Sequence, residues 1–397
     1  MCLAKDDVEL LDKKQRSVNE AAFNQNWIVY GPAGTGKTIL GLARLERSVN
    51  MAPNEDHIFL SKSKMLGRWV EQAAEQMGIS NNIRTFDQFV WNKVASYLGR
   101  NPEKVEPHSG WSEIDWDATN PLLEKAFATN KTLKKFNVIV DEAQDVRPGF
   151  FTACRIMCNN VFVLMDENQK TGIFADTPRA QIAELLGVDN AHQIYLGINY
   201  RNPLEIKNLS EVFFTGNPDE LADPAPAERR KMLEAPPTIR WIPFSDDQAR
   251  TDQVSRILSY CRDRPQATVC VAAPTPQRVN DIHKVLQRTS KLDKRLSTIE
   301  NWSVRKYESD SFKPCTTDFC SPGIVIAAPV NLKGSEFDAV FLTDWESSAQ
   351  QPPSMYTLIC RAKARIEVLA DPSESSKQTV RTMFAKALEE NLITEAS

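Results

Sequence analysis

Gly31-Pro-Ala-Gly-Thr-Gly-Lys-Thr38 lies between an apolar run, Trp27-Ile-Val-Tyr30, and residues 39–49, which have helical spacing. It fits the pattern G-x-x-x-x-G-K-[ST] in the strand and helix context that the pattern requires. A glycine-rich turn of this kind points its backbone N–H groups inward, and the helix N-terminus adds partial positive charge. The stretch therefore predicts a loop that binds the phosphates of a nucleotide.

Within this loop, Lys37 is expected to reach the β and γ phosphates of ATP, and Thr38 to bind Mg2+. The predicted ATP-binding residues of the loop are Gly31, Pro32, Ala33, Gly34, Thr35, Gly36, Lys37 and Thr38.

A pair of acidic residues follows another apolar run, Asn137-Val-Ile-Val140. An aspartate at a strand end beside a phosphate loop can hold Mg2+ through water, and a neighbouring glutamate can orient or deprotonate the attacking water. We therefore predict Asp141 as a metal residue together with Thr38, Glu142 as the residue that activates water, and Mg2+ with ATP as the cofactor.

Short apolar runs alternate with longer amphipathic segments along the whole chain. This alternation is typical of βαβ units, and hence of an α/β fold with parallel sheets flanked by helices. Nine runs fit two sheets of four to five strands each. They are residues 27–30, 57–60, 137–140, 160–165, 193–196, 238–244, 267–273, 323–328 and 339–344.

The composition is that of a globular protein, with 42% hydrophobic and 25% charged residues among 397. Disordered and fibrous classes are excluded. The net charge of −4 provides no overall basic field for nucleic acid. The eight cysteines lack zinc-site spacing and are expected to be reduced thiols. No run is long enough for a membrane span and the start is unlike a signal peptide, so we expect a cytoplasmic protein with no membrane partner.

The strand pattern divides the chain into two parts. We predict a first lobe over residues 1–196, with a small insertion at about 90–135, and a second lobe over residues 197–397. In the second lobe, residues 217–237 contain five prolines and predict a surface excursion, and residues 374–394 predict a closing amphipathic helix.

Several short segments, in order, resemble the superfamily 1 helicases of the UvrD/Rep type. In LDKKQ, Gln15 stands where that family has its adenine-contacting glutamine. After DEAQD, the segment VLMDENQ places Gln169 where the family senses the γ phosphate. The resemblance implies two tandem RecA-like P-loop NTPase lobes.

The second half of the chain continues the resemblance. In NYRN, Tyr200 matches the residue that stacks on adenine and Arg201 a phosphate-contacting arginine. The segment NLKGSEF resembles the family's KGLEF segment, which implies ATP contacts from Gly334 and Glu336. Residues 355–369 resemble the family's YVALTRAR helix, which makes Arg361 the matching arginine finger. The catalytic residues so predicted are Lys37, Asp141, Glu142, Gln169, Arg201 and Arg361.

Two further segments, IFLSKSKMLGRWV and RTFDQF, resemble the family's strand-contacting segments of the first lobe. Aromatic side chains would stack on bases and basic ones would hold phosphates. The nucleic-acid-binding residues so predicted are Lys62, Lys64, Arg68, Thr85, Phe86, Phe174 and, on the second lobe, Lys333.

The resemblance implies a helicase or translocase that hydrolyses ATP to move along single-stranded DNA, 3′ to 5′, with RNA not excluded. Ala328, Val330 and Cys360 replace the family's usual threonine, histidine and threonine, which puts unwinding in doubt more than hydrolysis. Two alternatives remain open. The first is a motor subunit of a repair or mobile-element defence complex that needs a partner such as a nuclease, and the second is a nucleotide-dependent switch or kinase.

Overall fold

The computed structural model describes residues 11–105, 113–169, 177–242, 247–307, 317–343 and 352–396. Two parallel sheets, each flanked by helices, follow one another along this chain. We refer to the parts built on them as the first and second lobes. The predicted α/β fold class with two such lobes is confirmed.

The first lobe places its chemistry at one edge of a six-stranded sheet. Its elements are α1 (Lys13–Glu20), β1 (Trp27–Tyr30), α2 (Lys37–Met51), β2 (His57–Ser61), α3 (Lys64–Met77), β3 (Ile83–Thr85), α4 (Phe86–Leu98), β4 (Lys104–Val105), β5 (Glu113–Ile114), α5 (Trp116–Thr129), β6 (Phe136–Asp141), α6 (Pro148–Met157), β7 (Cys158–Met165), α7 (Arg179–Leu186) and β8 (Gln193–Tyr195). The order is β3-β2-β6-β7-β1-β8 and every pair is parallel. The loops after β1, β6 and β7 therefore meet at the carboxyl edge.

The described residues of the predicted small insertion form the end of α4, the antiparallel pair β4 and β5, and α5. The insertion packs on the first lobe, because Trp116 is buried with its ring centroid 5.8 Å from that of Phe150.

The second lobe holds a seven-stranded parallel sheet. Its elements are β9 (Ile198–Asn199), α8 (Leu204–Glu211), β10 (Asp223–Pro224), β11 (Thr238–Trp241), α9 (Asp247–Asp263), β12 (Thr268–Ala272), α10 (Pro276–Leu292), β13 (Ser303–Lys306), β14 (Gly323–Ala327), β15 (Phe337–Thr343), α11 (Pro352–Ile359), β16 (Ala362–Ala370), α12 (Glu374–Met383), α13 (Ala385–Glu389) and β17 (Thr394–Ala396). The sheet order is β13-β14-β12-β15-β16-β11-β17, and β9 pairs separately with β10 of the Pro-rich excursion.

All nine predicted strands are present, but the sheets have six and seven strands instead of four to five. Residues 362–370, expected to continue a helix, form a central strand between β15 and β11. The closing helix is divided at Phe384, which is buried against Phe213, and the chain then adds β17 to the sheet edge. Cys320 is disulfide-bonded, so the expectation of reduced thiols is wrong there.

The two lobes share one hydrophobic cluster, to which α3 contributes Leu66 and the second lobe Leu332 and Leu358. Gly334 lies at this contact with φ +79°, and a Cβ there would come within 2.6 Å of Leu66 Cδ2. In the part of the chain described above, no helix is long and apolar enough to cross a membrane.

Candidate nucleotide site between the two lobes

The phosphate loop occupies the turn from β1 into α2, as its sequence predicts. Gly36 has φ +80°, and a Cβ there would lie 2.7 Å from the Gln15 amide nitrogen, so glycine fits both the backbone and the space. Lys37 Nζ donates to the carbonyl oxygens of Gly31 at 2.7 Å and Pro32 at 2.9 Å. Burial lowers the pKa of Lys37, and Asp166, 3.8 Å away, acts in the opposite direction.

The predicted metal residues lie in direct contact. Thr38 Oγ1 donates to Asp141 Oδ2 at 2.8 Å. Burial and then the neighbouring Glu142 raise the pKa of Asp141 to about 7. Within the described residues, no cluster of three or more His, Cys, Asp or Glu could hold a metal. One carboxylate and one hydroxyl nevertheless suit Mg2+, which keeps several waters and takes further oxygens from phosphates.

Glu142 faces the cations of the site. It has a left-handed backbone with φ 55°, and its carboxylate accepts a hydrogen bond from Gln144 Nε2 at 2.6 Å. Burial alone would raise its pKa, but Lys333, Lys37 and Arg361 outweigh burial and lower the pKa. A carboxylate held ionised beside the phosphate loop can accept a proton from water.

Lys333 was expected on a nucleic-acid surface, whereas the structure buries its side chain at the boundary of the two lobes. Its side chain is 3% exposed and its ammonium donates to both carboxylate oxygens of Asp145, at 2.9 and 2.8 Å. It also donates to the carbonyl oxygen of Gln169 at 2.6 Å and lies 3.5 Å from the Glu142 carboxylate. Lys333 therefore bridges the lobes beside the predicted catalytic residues Glu142 and Gln169.

Arg361 reaches the first lobe from the segment that follows α11. Its Nη2 donates to Gln169 Oε1 at 3.0 Å, and the Gln169 amide nitrogen donates to Asp166 Oδ2 at 2.6 Å. Arg361 is buried, and its Nε and Nη1 donate to the carbonyl oxygens of Thr357 and Ser335, respectively. The predicted finger and the predicted γ-phosphate sensor are thus hydrogen-bonded to each other across the lobe boundary.

Arg201 and Glu336 form an ion pair within the second lobe. Arg201 Nε donates to Glu336 Oε1 at 2.7 Å, and Lys363 Nζ lies 3.0 Å from Glu336 Oε2. Burial would raise the pKa of Glu336, but Arg201 and Lys363 hold it well below its usual range. Glu336 is therefore placed to orient Arg201.

The two residues predicted at adenine flank the loop and are linked through Asp12. The Gln15 amide donates to Thr35 O at 3.0 Å and accepts from Asp12 N at 2.8 Å, which completes a capping box at the start of α1. The Tyr200 hydroxyl donates to Asp12 Oδ2 at 2.8 Å, and Arg229 lies over its ring at 4.6 Å.

Asp166 and Tyr356 belong to this site and were not predicted. Asp166 is 1% exposed at the end of β7, and the acid after the run Val163-Leu-Met165 is the same signal that identified Asp141. The Tyr356 hydroxyl accepts a hydrogen bond from the backbone N–H of Ala33, within the phosphate loop, at 3.3 Å.

The predicted strand contacts of the first lobe are mostly engaged within the protein. Phe86 is 6% exposed and packs edge to face on Phe150 at 4.7 Å, so core packing replaces the expected stacking surface. Lys62 donates to Asp87 at 2.6 Å, and Arg68 donates to Glu71 at 2.7 Å.

Thr85 and Lys64 are both half-buried. Thr85 borders a groove of about 380 Å³ beside α4, which is lined by Arg84, Thr85, Gln88, Phe89, Asn92, Lys93 and Ser96. Phe174 lies outside the described residues.

In a comparison with known families, residues 14–175 match a family model described as an AAA domain. This is less than half of the chain, and it covers the phosphate loop, the Asp141-Glu142 pair and Gln169. The comparison with curated proteins gave no match. Residues 14–175 are therefore similar to a P-loop NTPase domain of the AAA type, which indicates an ATP hydrolase in general and supports the broad superfamily without identifying a member of it.

Proposed function

We propose that this protein hydrolyses ATP at the boundary of its two lobes and uses hydrolysis to move along a single nucleic acid strand. The observation that carries the proposal is the contact of Arg361 with Gln169 at 3.0 Å. A cation from the second lobe thereby reaches the phosphate site of the first, so nucleotide state can be coupled to the relative position of the lobes.

The side chains of the site suit phosphoryl transfer to water. Lys37 would bind the β and γ phosphates, Glu142 would take the proton of the attacking water, and Arg361 and Arg201 would stabilise negative charge on the transferred group. Thr38 and Asp141, with oxygens 2.8 Å apart, would hold Mg2+, which neutralises charge on the phosphates when bound.

Movement would follow from alternation between closed and open lobes. The buried bonds of Lys333 to Asp145 and of Arg361 to Gln169 lie across the boundary that must open. Resemblance to the UvrD/Rep type supports single-stranded DNA as the track and 3′ to 5′ as the direction.

The test is steady-state ATP hydrolysis by the purified protein, with and without single-stranded DNA or RNA. We expect hydrolysis that one of these polymers stimulates severalfold, and none in a Lys37→Ala variant, which loses the ammonium at the phosphates. Hydrolysis that neither polymer changes would contradict an autonomous motor.

A second candidate is an ATPase subunit that engages nucleic acid only with a partner such as a nuclease. The observation that favours it is the engagement of the predicted strand contacts: Phe86 is in the core, and Lys62 and Arg68 are paired with acids. Stimulation by a strand only after addition of a co-purified partner would select this candidate over the first.

A further inference from the structure

Tyr356 places a hydroxyl from the second lobe within hydrogen-bonding distance of the phosphate loop. Its oxygen is 3.3 Å from the backbone nitrogen of Ala33, and the side chain is 3% exposed. The ring is fixed by α11 and by an edge-to-face contact with Phe214 at 5.4 Å. The hydroxyl is therefore held in the loop by packing that does not depend on a nucleotide.

A tyrosine hydroxyl can both accept and donate a hydrogen bond, and the described residues engage this one only as an acceptor. Its oxygen accepts from Ala33, whereas among the described residues no acceptor takes its hydrogen. Burial raises the pKa of Tyr356 well above its usual range, so the group keeps this hydrogen at all working pH values. A buried donor beside an anion-binding loop suits a phosphate oxygen.

The surroundings locate the donor at the end of the site where the γ phosphate would lie. Asp166 and Arg361 are both close enough to affect the pKa of Tyr356. Asp166 is also 3.8 Å from Lys37 Nζ, the group that reaches the β and γ phosphates. Arg361 follows Tyr356 by five residues on the same segment and contacts Gln169.

We propose that Tyr356 donates a hydrogen bond to the γ phosphate of ATP and so makes the second lobe distinguish ATP from ADP. This rests on the proposed function only in requiring that the loop binds ATP. Because ADP has no γ phosphate, the hydroxyl should contribute to the binding of the triphosphate alone.

The experiment compares the parent chain with Tyr356→Phe, which removes the hydroxyl and keeps the ring. Affinities for ADP and for a non-hydrolysable ATP analogue are measured by calorimetry with Mg2+. We expect affinity for the analogue to fall by about tenfold or more, as for one hydrogen bond to a charged group, with affinity for ADP unchanged. The matched control is Tyr260→Phe, whose hydroxyl donates to Glu234 at 3.0 Å, outside the site.

Equal losses for both nucleotides, or no loss for either, would overturn the assignment of Tyr356. A parent chain that binds no nucleotide would overturn the ATPase proposal along with it. A selective loss in a protein whose hydrolysis no strand stimulates would leave this inference standing and remove only the motor. Thermal unfolding without nucleotide should be at most slightly lower for Tyr356→Phe, which loses only the 3.3 Å bond from Ala33 N–H, and this excludes a general loss of structure.

Discussion

The Glu142 carboxylate favours its ionised form, although burial alone would favour the neutral form. Lys333, Lys37 and Arg361 lower its pKa despite burial, whereas burial raises the pKa of the adjacent Asp141 to about 7. Two neighbouring carboxylates with opposite shifts suit different roles, one as a proton acceptor and one as a ligand of Mg2+. Glu142 depends on cations from both lobes, so the base is complete only when the lobes are together.

Replacement of Glu142 by Gln tests this role. The amide keeps the size of the side chain but cannot accept a proton, so we expect turnover to fall by about 100-fold or more. Nucleotide affinity should stay near that of the parent, because Glu142 is not among the phosphate-binding groups. Steady-state hydrolysis and calorimetry measure the two quantities, with the exposed Glu374→Gln as control. Parent-like turnover in Glu142→Gln would rule the base out.

Which residues belong to this site could be predicted from the sequence more completely than how buried each of them is. The strand–loop–helix pattern located Lys37 and Thr38, because their roles follow from local backbone geometry. For Lys333 and Phe86, a surface role and a buried one give the same local pattern. Only tertiary packing shows that the acids around Lys333 bury it and that Phe150 covers Phe86.

At the scale of elements, α1 is held on the first lobe by one buried arginine of α2. Arg44 is 3% exposed, and its guanidinium carbon lies 3.9 Å from the centroid of the Phe23 ring. Its Nη atoms donate to the carbonyl oxygens of Val18, Asn19, Ala21 and Ala22. These carbonyl groups lie in the last turn of α1 and directly after it. Helix α1 in turn positions Gln15 beside the phosphate loop.

Arg44→Met should therefore destabilise the fold more than an ordinary surface change. A buried carbonyl oxygen that loses its charged donor destabilises the folded state by about 1 to 3 kcal/mol. With four such oxygens affected, we expect the free energy of unfolding to fall by about 3 kcal/mol or more. Urea unfolding measures it. The neighbouring Arg47→Met is the matched control, since Arg47 makes one such bond, to Asn19 at 2.8 Å. Similar losses in both variants would refute the anchoring role of Arg44.

Strand β16 is a secondary-structure element that the local sequence pattern does not predict. Residues 362–370 read Ala-Lys-Ala-Arg-Ile-Glu-Val-Leu-Ala, with several good helix formers, and resemble the end of a helix. They form a strand because β15 and β11 provide partners on both sides. Within it, Glu367 is buried and bonded to Arg256 at 2.8 Å, an interaction that no local pattern reveals.

At the scale of the whole molecule, the lobes are joined at the nucleotide site and outside it. Outside the site, the Gln72 amide of α3 donates to Asp318 of the second lobe at 3.0 Å. Inside the site, Lys333 and Asp145 form a buried ion pair across the boundary, with Nζ and Oδ2 2.8 Å apart. Separation of the lobes would leave both charges to be solvated, which suits a contact that opens and closes with the nucleotide.

Replacement of Lys333 alone should show how much the Lys333–Asp145 pair contributes to the free energy of unfolding. Lys333→Met leaves Asp145 buried without its cation, and we expect a loss of about 3 to 5 kcal/mol in the free energy of unfolding at pH 8. The double variant Lys333→Met, Asp145→Asn removes the charge of Asp145 and leaves Glu142 with Lys37 and Arg361, so it should recover much of the loss. Arg100→Met, which breaks an exposed pair with Glu103, should cost less than about 1 kcal/mol.

The pH dependence of the same variant gives an independent check. Burial raises the pKa of Asp145 to about 6 in the parent chain even with Lys333 present, so the folded state favours its protonated form. Without Lys333 this pKa should rise further. As the pH falls from 8 through 6, protonation of Asp145 removes the unpaired charge, so the stability deficit of Lys333→Met should shrink relative to the parent. A deficit that stays constant over this range in urea unfolding would show that the pair does not hold the lobes together through charge.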